Sequence, residues 1–239
     1  MAVHRGTRSS WSYDLTHPET ESAVIFDMDG VMLDSEPVWR SAMQELFAAC
    51  DRPWEDLDPD VLIGGDSSRQ WASYVRRVGE LPMAEDEIVE WVTCRLLDLY
   101  AEALPMVPGA KEAVARLAVS YRLGLASSSP REIIAFVLAR SGLDRLFAAW
   151  ASSDDVPRGK PAPDVYLRAC NLLGADPSRS AAIEDSLFGI RAARAAGLKV
   201  IAIPHPSFPL DPSSLGLAHL ALVSLDQLGA KTVESVLRS

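Results

Sequence analysis

Short apolar runs recur along the chain, and amphipathic segments separate most of them. Five of the runs predict strands that are buried on both faces: AVIFD (23–27), RLGLAS (122–127), FAAWAS (147–152), SAAIED (180–185) and KVIAIP (199–204). The segment ALVSL (221–225) is a weaker sixth candidate. Apolar runs of this length are typical of a parallel sheet that helices cover on both faces.

The segments between these runs have the apolar spacing of helices. Helical patterns are found at 110–119, 131–141, 163–173 and 187–196. Proline precedes or opens two of them, and Gly142, Gly174 and Gly197 follow three of them as stop signals. Alternating strands and helices predict an α/β fold with a doubly wound, Rossmann-like parallel sheet.

Residues 37–105 interrupt this alternation, because their pattern predicts helices only. One apolar stripe begins at Val38 and another at Ile88, each with helical spacing. We therefore expect a helical cap at 37–105, inserted after the first strand of a core formed by 22–36 and 106–239. Residues 1–21 are predicted to be a polar N-terminal extension. An insert at the carboxyl end of a strand overlies the ligand crevice of such a sheet.

Charge and cysteine content narrow the function classes. The chain has 239 residues and a formal net charge of −10, which argues against a nucleic-acid or anionic-membrane surface. No run approaches the ~18 apolar residues of a membrane span. Cys50, Cys94 and Cys170 are too few and too scattered for a disulfide framework, which favours a reducing cytoplasm. We expect a monomer that acts on a small molecule.

Candidate chemistry lies where the predicted strands end. The first strand ends at Asp27 and Asp29, the second at Ser127 and the fourth at Glu184-Asp185, while Lys160 follows the third in the segment GKPAP. Because ligands bind at the carboxyl ends of strands in such sheets, we expect these groups to converge.

The segments FDMDG, LASSSP, GKPAPDVY and IEDS, in this order, resemble the four motifs of the haloacid dehalogenase superfamily. The resemblance extends from residue 22 to about 205, and the insert resembles the small helical cap of some members. Within the superfamily, FDMDGVMLDSEPVW and KPAPDVYL are most similar to sugar-phosphate phosphatases, such as those acting on 2-deoxyglucose 6-phosphate. The motifs of the chain resemble those of β-phosphoglucomutase and phosphoglycolate phosphatase less closely.

The resemblance implies a role for each carboxylate. Asp27 is the expected nucleophile, which forms an aspartyl phosphate and divides one displacement into two. Asp29 is the expected general acid and then general base. Asp27, the backbone carbonyl of Asp29, and Asp185 are expected to hold Mg²⁺, which prefers oxygen ligands. Glu184 is expected at the same metal site. It would bind the ion directly, bind it through a water molecule, or contact the residues that bind it.

Three further residues are expected to bind the phosphoryl group. Ser127 donates its hydroxyl, Ser128 its backbone N–H and Lys160 its ammonium to the phosphoryl oxygens. Ser129 is expected to cap the helix that follows. The cap is expected to determine specificity, through Trp39, Arg69, Trp71 and the Gly64-Gly65 loop.

The sequence bears on four alternatives to a phosphatase. A phosphonatase would require a cap lysine, and 37–105 contains none. A true dehalogenase needs neither Asp29 nor a metal. A phosphosugar mutase of the β-phosphoglucomutase type remains the main alternative, although Trp39 stands where such mutases have histidine. A non-catalytic scaffold that binds Mg²⁺ and phosphate is the least favoured.

Overall fold

A computed structural model describes residues 22–54, 67–207 and 209–239 of the chain. The predicted N-terminal extension at 1–21 and the Gly64-Gly65 loop lie outside the described residues.

The described residues form one six-stranded parallel sheet, which confirms the predicted α/β doubly wound fold. Its strands are β1 (Ala23–Phe26), β2 (Arg122–Ser127), β3 (Phe147–Ser152), β4 (Ala181–Glu184), β5 (Lys199–Ala202) and β6 (Leu220–Ala221). They are ordered β3-β2-β1-β4-β5-β6, and all neighbours are parallel. The strand order reverses between β1 and β4, so the ligand crevice is expected at the carboxyl ends of these two strands.

Helices cover both faces of the sheet. They are α4 (Ala110–Ala118), α5 (Arg131–Ser141), α6 (Asp164–Leu173), α7 (Leu187–Ala195), the short α8 (Pro212–Leu215) and α9 (Ala230–Leu237). Successive residues of β1 serve two separate cores: Val24 and Phe26 pack with α4, α5 and α9, whereas Ala23 and Ile25 pack with α6 and α7. This alternation explains why β1 is apolar at every position.

Three helices of the described residues lie between β1 and α4: α1 (Glu36–Ala49), α2 (Ser68–Val78) and α3 (Glu85–Glu102). The apolar stripes found in the sequence are their buried faces, with Met43 and Leu46 in α1 and Val92 and Leu96 in α3. At the start of α2, the backbone N–H and the hydroxyl of Ser68 both donate to the Asp154 carboxylate, beyond β3. The division into core and cap at 37–105 stays a prediction.

The last strand is shorter than the sequence predicted. Leu220 and Ala221 pair with β5, but the expected strand at 221–225 ends there. The Ser224 hydroxyl instead accepts a hydrogen bond from the Asp226 N–H and starts a 3₁₀ turn at Leu225–Gln227. A serine that bonds to the backbone two residues ahead favours a turn over a strand.

None of the helices formed by the described residues has the length and apolarity needed to cross a membrane.

Candidate active site

The ends of β1 and β4 bring three charged side chains into direct contact. Lys160 Nζ donates to Asp27 Oδ1 and to Glu184 Oε1, each at 2.7 Å. All three side chains are at most 8% exposed. Asp27 extends β1, and its N–H bonds to the carbonyl of Ile183 on β4 at 2.9 Å. The sheet topology therefore places Asp27 beside Glu184, as the motif order predicts.

Asp185 adds a second carboxylate next to Asp27. One oxygen from each of Asp27, Glu184 and Asp185 lies within 4.8 Å of the others. Gly30 makes this approach possible, because a Cβ at its position would lie 1.8 Å from Asp185 Oδ2, and its φ of +79° suits glycine. A cluster of carboxylates fits a hard divalent cation such as Mg²⁺, which prefers oxygen ligands.

The electrostatics of these groups also fit a cation. Burial raises the pKa of Asp27 to about 8, with Glu184 and Asp29 adding to the rise and Lys160 opposing it. Burial likewise raises the pKa of Asp185 well above its usual range, and the Glu184 and Asp27 carboxylates add to the rise. Lys160 alone therefore does not balance the carboxylates, and a divalent ion beside Asp27 and Asp185 would favour their ionised forms.

Glu184 is surrounded by protein donors. Its Oε1 accepts from Lys160 Nζ and from Tyr166 Oη, the latter at 2.6 Å. Its Oε2 accepts from the N–H groups of Asp185 and Ser186 and from the Ser186 hydroxyl, at 3.1 to 3.3 Å. Gly189 in α7 leaves room for this side chain, since a Cβ there would lie 1.8 Å from Glu184 Oε1. Glu184 is thus fixed by hydrogen bonds to both of its oxygens.

Two serines hold the Asp29 carboxylate. Ser127 Oγ donates to Asp29 Oδ2 at 3.2 Å, and Ser129 Oγ donates to the same oxygen at 2.8 Å. The other oxygen, Asp29 Oδ1, is buried and has no hydrogen-bond partner among the described residues. A buried acceptor without a partner is unusual in proteins and marks a position for a ligand or a water molecule.

The expectation that Ser129 caps the following helix is wrong. The residue at the N-cap of α5 is Pro130, and no side chain caps that helix. Ser129 turns instead toward Asp29, and Ser128 lies in the lining of the cavity that Asp27 and Lys160 share.

The cavity extends from Lys160 toward α1, α2 and α3. Trp39 and Trp71 line it, with their rings 5.6 Å apart and nearly perpendicular. Arg69 is not among the described residues that line this cavity. It is largely exposed and pairs with Glu85 and Asp86, at 3.6 and 3.8 Å, beside a second cleft. A part for Arg69 in specificity stays a prediction.

Three residues of the site were not singled out by sequence reasoning. The helical spacing at 163–173 places Tyr166 on the apolar face of its helix, and nothing in that spacing indicates the bond from its hydroxyl to Glu184. Gly189 does leave a signal, because an isolated glycine within a helical pattern often marks a close approach. His205 also lines the cavity. It belongs to the proline-rich segment at 204–214, and the sequence does not indicate what that segment does.

Several known proteins and solved structures are similar to this chain. A family model described as haloacid dehalogenase-like hydrolase matches residues 21–197. Hexitol phosphatase B of Escherichia coli (strain K12) is 37% identical over 220 residues, which cover 91% of this chain and 98% of that protein. Fructose-1-phosphate phosphatase YqaB of the same strain is 32% identical over 187 residues, which cover 77% and 96%. The crystal structure of CbbY from Rhodobacter sphaeroides in complex with phosphate has a TM-score of 0.80 and 27% identity, covering 90% of this chain and 99% of that one.

Proposed function

Since this chain belongs to the haloacid dehalogenase-like hydrolase family, we propose that it is a Mg²⁺-dependent phosphatase that hydrolyses a small sugar phosphate through a phosphorylated Asp27. The relatives of the chain are phosphatases, and the chain is therefore a phosphoric monoester hydrolase. The observation that carries the finer proposal is the contact of Lys160 with both Asp27 and Glu184 at the ends of β1 and β4.

Asp27 is proposed as the nucleophile. Its carboxylate attacks phosphorus, the bond from phosphorus to the leaving oxygen breaks, and the phosphoryl group is then transferred from Asp27 to water. The hydrogen bond from Lys160 to Asp27 Oδ1 fixes the orientation of the carboxylate before the substrate arrives.

Asp29 is proposed to move the protons. Ser127 and Ser129 hold its Oδ2, which leaves the buried Oδ1 as the oxygen that exchanges a proton with substrate. In the first step Asp29 protonates the leaving oxygen, and in the second it accepts a proton from the attacking water.

Lys160, the Ser127 hydroxyl and the Ser128 N–H are proposed to bind the phosphoryl oxygens. Ser127 would exchange its hydrogen bond to Asp29 Oδ2 for one to a phosphoryl oxygen, while Ser129 keeps holding Asp29 Oδ2. Lys160 is suited to this task because it keeps its charge: burial lowers its pKa, but the Asp27 and Glu184 carboxylates outweigh burial and raise the pKa above its usual value. An ammonium beside the nucleophile offsets the negative charge that the phosphoryl group brings.

Asp27, the Asp29 carbonyl and Asp185 are proposed to hold Mg²⁺. The ion, when bound, offsets the charge of the carboxylates and of the phosphoryl oxygens. We assign Glu184 a positioning role in place of direct coordination, because protein donors already bond to both of its oxygens. It orients Lys160, whose ammonium donates to both Glu184 and Asp27.

The proposal also covers the setting of the enzyme. We propose a monomer in the reducing cytoplasm that acts on free metabolites and binds neither nucleic acid nor membrane. The net charge of −10 supports the expectation about nucleic acid and membrane, and three free cysteines support a reducing compartment.

A substrate panel tests the proposal. We expect release of inorganic phosphate from hexitol and hexose monophosphates with Mg²⁺, and loss of that activity in EDTA that Mg²⁺ restores. Undiminished activity in EDTA would contradict the metal site. Interconversion of β-glucose 1-phosphate and glucose 6-phosphate faster than phosphate release would establish a mutase instead, and no turnover of any phosphate ester would favour the non-catalytic alternative.

A further inference from the structure

The described residues that line the active-site cavity include several carboxylates and one cation. Lys160 lies at the catalytic end, and it is the only lysine or arginine among the described residues that line the cavity. Asp34, Glu36 and His205 line it as well, beyond the catalytic carboxylates. The part of a substrate that reaches these three residues therefore meets two carboxylates and an imidazole, and no lysine or arginine other than Lys160 lines the cavity among the described residues.

Asp34 and His205 lie against each other, and each makes a further hydrogen bond. The Asp34 N–H donates to the carbonyl of Pro105 at 2.8 Å, which fixes the residue where the chain enters α1. His205 Nε2 lies 3.5 Å from Asp34 Oδ1. His205 Nδ1 accepts from the Ser207 N–H at 3.3 Å, so a neutral ring carries its proton on Nε2, toward Asp34.

Glu36 adds to the negative charge at this position. Burial raises the pKa of Glu36, and a hydrogen bond from Arg40 opposes the rise. Asp34 and His205 also lie close enough to Glu36 to affect its pKa. Arg40 offsets Glu36 in part, so Asp34 is the principal negative group of the three residues Asp34, Glu36 and His205. Its side chain is 47% exposed, which leaves it accessible to a ligand.

The remaining lining suits a hydroxylated carbon chain. Trp39 and Trp71 offer aromatic surface for C–H groups, while carboxylates and imidazole exchange hydrogen bonds with hydroxyls. Tyr100 Oη is buried without a hydrogen-bond partner among the described residues, and it lies near Asp29, Trp39 and Ser35, which all line the cavity. Its hydroxyl is a further polar group beside the cavity that a ligand or a water molecule would satisfy.

We propose that Asp34 and His205 are specificity-determining residues that bind the hydroxyls of an uncharged polyol tail and reject substrates whose tail ends in a carboxylate or a second phosphate. The proposal rests on the phosphatase function proposed above and names its substrate class: sugar and polyol monophosphates. Rejection follows from charge, since an anionic tail would approach Asp34 and Glu36, and the only lysine or arginine among the described lining residues is Lys160 at the catalytic carboxylates.

Matched substrate pairs test this proposal. Glucitol 6-phosphate and 6-phosphogluconate differ at the far carbon, which is a primary alcohol in one and a carboxylate in the other. Glycerol 3-phosphate and 3-phosphoglycerate form the same pair at a shorter length. We expect kcat/KM to favour the alcohol in each pair that is turned over, by about 10-fold or more. Asp34→Asn is expected to reduce this ratio about 5-fold or more, by improving turnover of the acid.

Two controls separate specificity from stability. Asp144→Asn makes the same charge change at an exposed position before the amino end of β3, and we expect it to leave the ratio unchanged. His205→Gln is expected to raise KM for the polyol phosphate about 5-fold, with no change in KM for acetyl phosphate, which has no hydroxyl tail. A merely structural role for His205 would alter both substrates alike.

The possible failures are distinguishable. Equal turnover of alcohol and acid, or a ratio that Asp34→Asn changes no more than Asp144→Asn does, would overturn the specificity proposal and leave the phosphatase intact. Failure to hydrolyse acetyl phosphate and every member of the two pairs would overturn the proposed function itself, and the specificity proposal with it.

Discussion

Among single residues, Lys160 is the one that the charges of neighbouring side chains constrain most. It is buried between Asp27 and Glu184, and Glu184 is held in turn by Tyr166 and by the N–H groups at the start of α7. A buried ion pair is tolerated only when its remaining hydrogen-bonding atoms are also satisfied. Tyr166 meets that requirement here, and the Lys160 ammonium also lies 5.1 Å from the centre of its ring.

Tyr166→Phe tests this arrangement. The change removes the hydroxyl that donates to Glu184 Oε1 but keeps the ring, so Glu184 and Lys160 are less firmly placed. We expect a loss of stability of about 1–3 kcal/mol and weaker inhibition by inorganic phosphate, by about 3-fold or more.

The matched control for this change is Tyr121→Phe. The Tyr121 hydroxyl makes a long 3.4 Å bond to the carbonyl of Ala230, away from the site. We expect that variant to bind inorganic phosphate like the wild type. Unchanged phosphate inhibition in Tyr166→Phe would show that Tyr166 does not act on Lys160 through Glu184.

Among the elements, α7 and β4 are packed so closely that one glycine determines where Glu184 lies. A Cβ at Gly189 would lie 1.8 Å from Glu184 Oε1, which is closer than two non-bonded atoms can approach. Gly189→Ala favours helix formation by about 1 kcal/mol, yet it must displace Glu184 and with it Lys160. We expect a net loss of stability of about 2 kcal/mol or more and a loss of kcat/KM of about 10-fold or more.

Gly216→Ala is the control for that prediction. Gly216 has a φ of −61°, and a Cβ there meets only carbonyl oxygens at 3.4 Å. Thermal unfolding and phosphate release measure both variants. A Gly189→Ala protein as stable and active as Gly216→Ala would show that α7 moves away from β4 at little cost.

The elements also show what the sequence can and cannot predict. β2 and β3 begin and end at the predicted residues, because their apolar runs are bounded by polar residues. The helix at 131–141 ends as predicted, since Gly142 takes a φ of +77° there. The hydrophobic pattern predicted too long a strand at β6, because the Ser224 hydroxyl favours a turn there. The prediction that Ser129 caps a helix was also wrong, because its side chain turns toward Asp29.

Candidate site residues divide in the same way. The motifs anticipated that Asp27, Lys160 and Asp185 come together, because parallel strands place their carboxyl ends at one edge of the sheet. The pairs Tyr166–Glu184 and Asp34–His205 join distant parts of the chain through side-chain atoms. Periodicity specifies which face a residue lies on, but not which atom its side chain reaches.

At the scale of the whole molecule, the buried carboxylates make stability depend on pH and on metal. Burial raises the pKa of Asp27 from 3.8 to about 8 in the folded protein. Between these values the folded protein binds more protons than the unfolded chain, so this contribution to stability is present below the lower value and is lost as pH rises toward the upper one. Asp185 acts in the same direction.

We therefore expect the free energy of unfolding in EDTA to fall as pH rises from 5 to 8, with a smaller fall at saturating Mg²⁺. Asp27→Asn removes one titrating group and is expected to reduce the slope in EDTA, whereas Asp144→Asn is expected to keep it. Urea unfolding at several pH values measures both. Stability that rises over this range, or an equal slope in Asp27→Asn, would contradict the assignment of Asp27 as a group that burial keeps protonated in the metal-free protein.

The central claim is that Asp27 receives the phosphoryl group, and the most direct test is phosphate release by Asp27→Asn with Mg²⁺. The change keeps the size of the side chain and removes its nucleophilic charge. We predict a fall in kcat of about 10³-fold or more in a protein whose circular dichroism matches that of the wild type. Phosphate release by the folded Asp27→Asn protein at a rate close to the wild type would contradict the account.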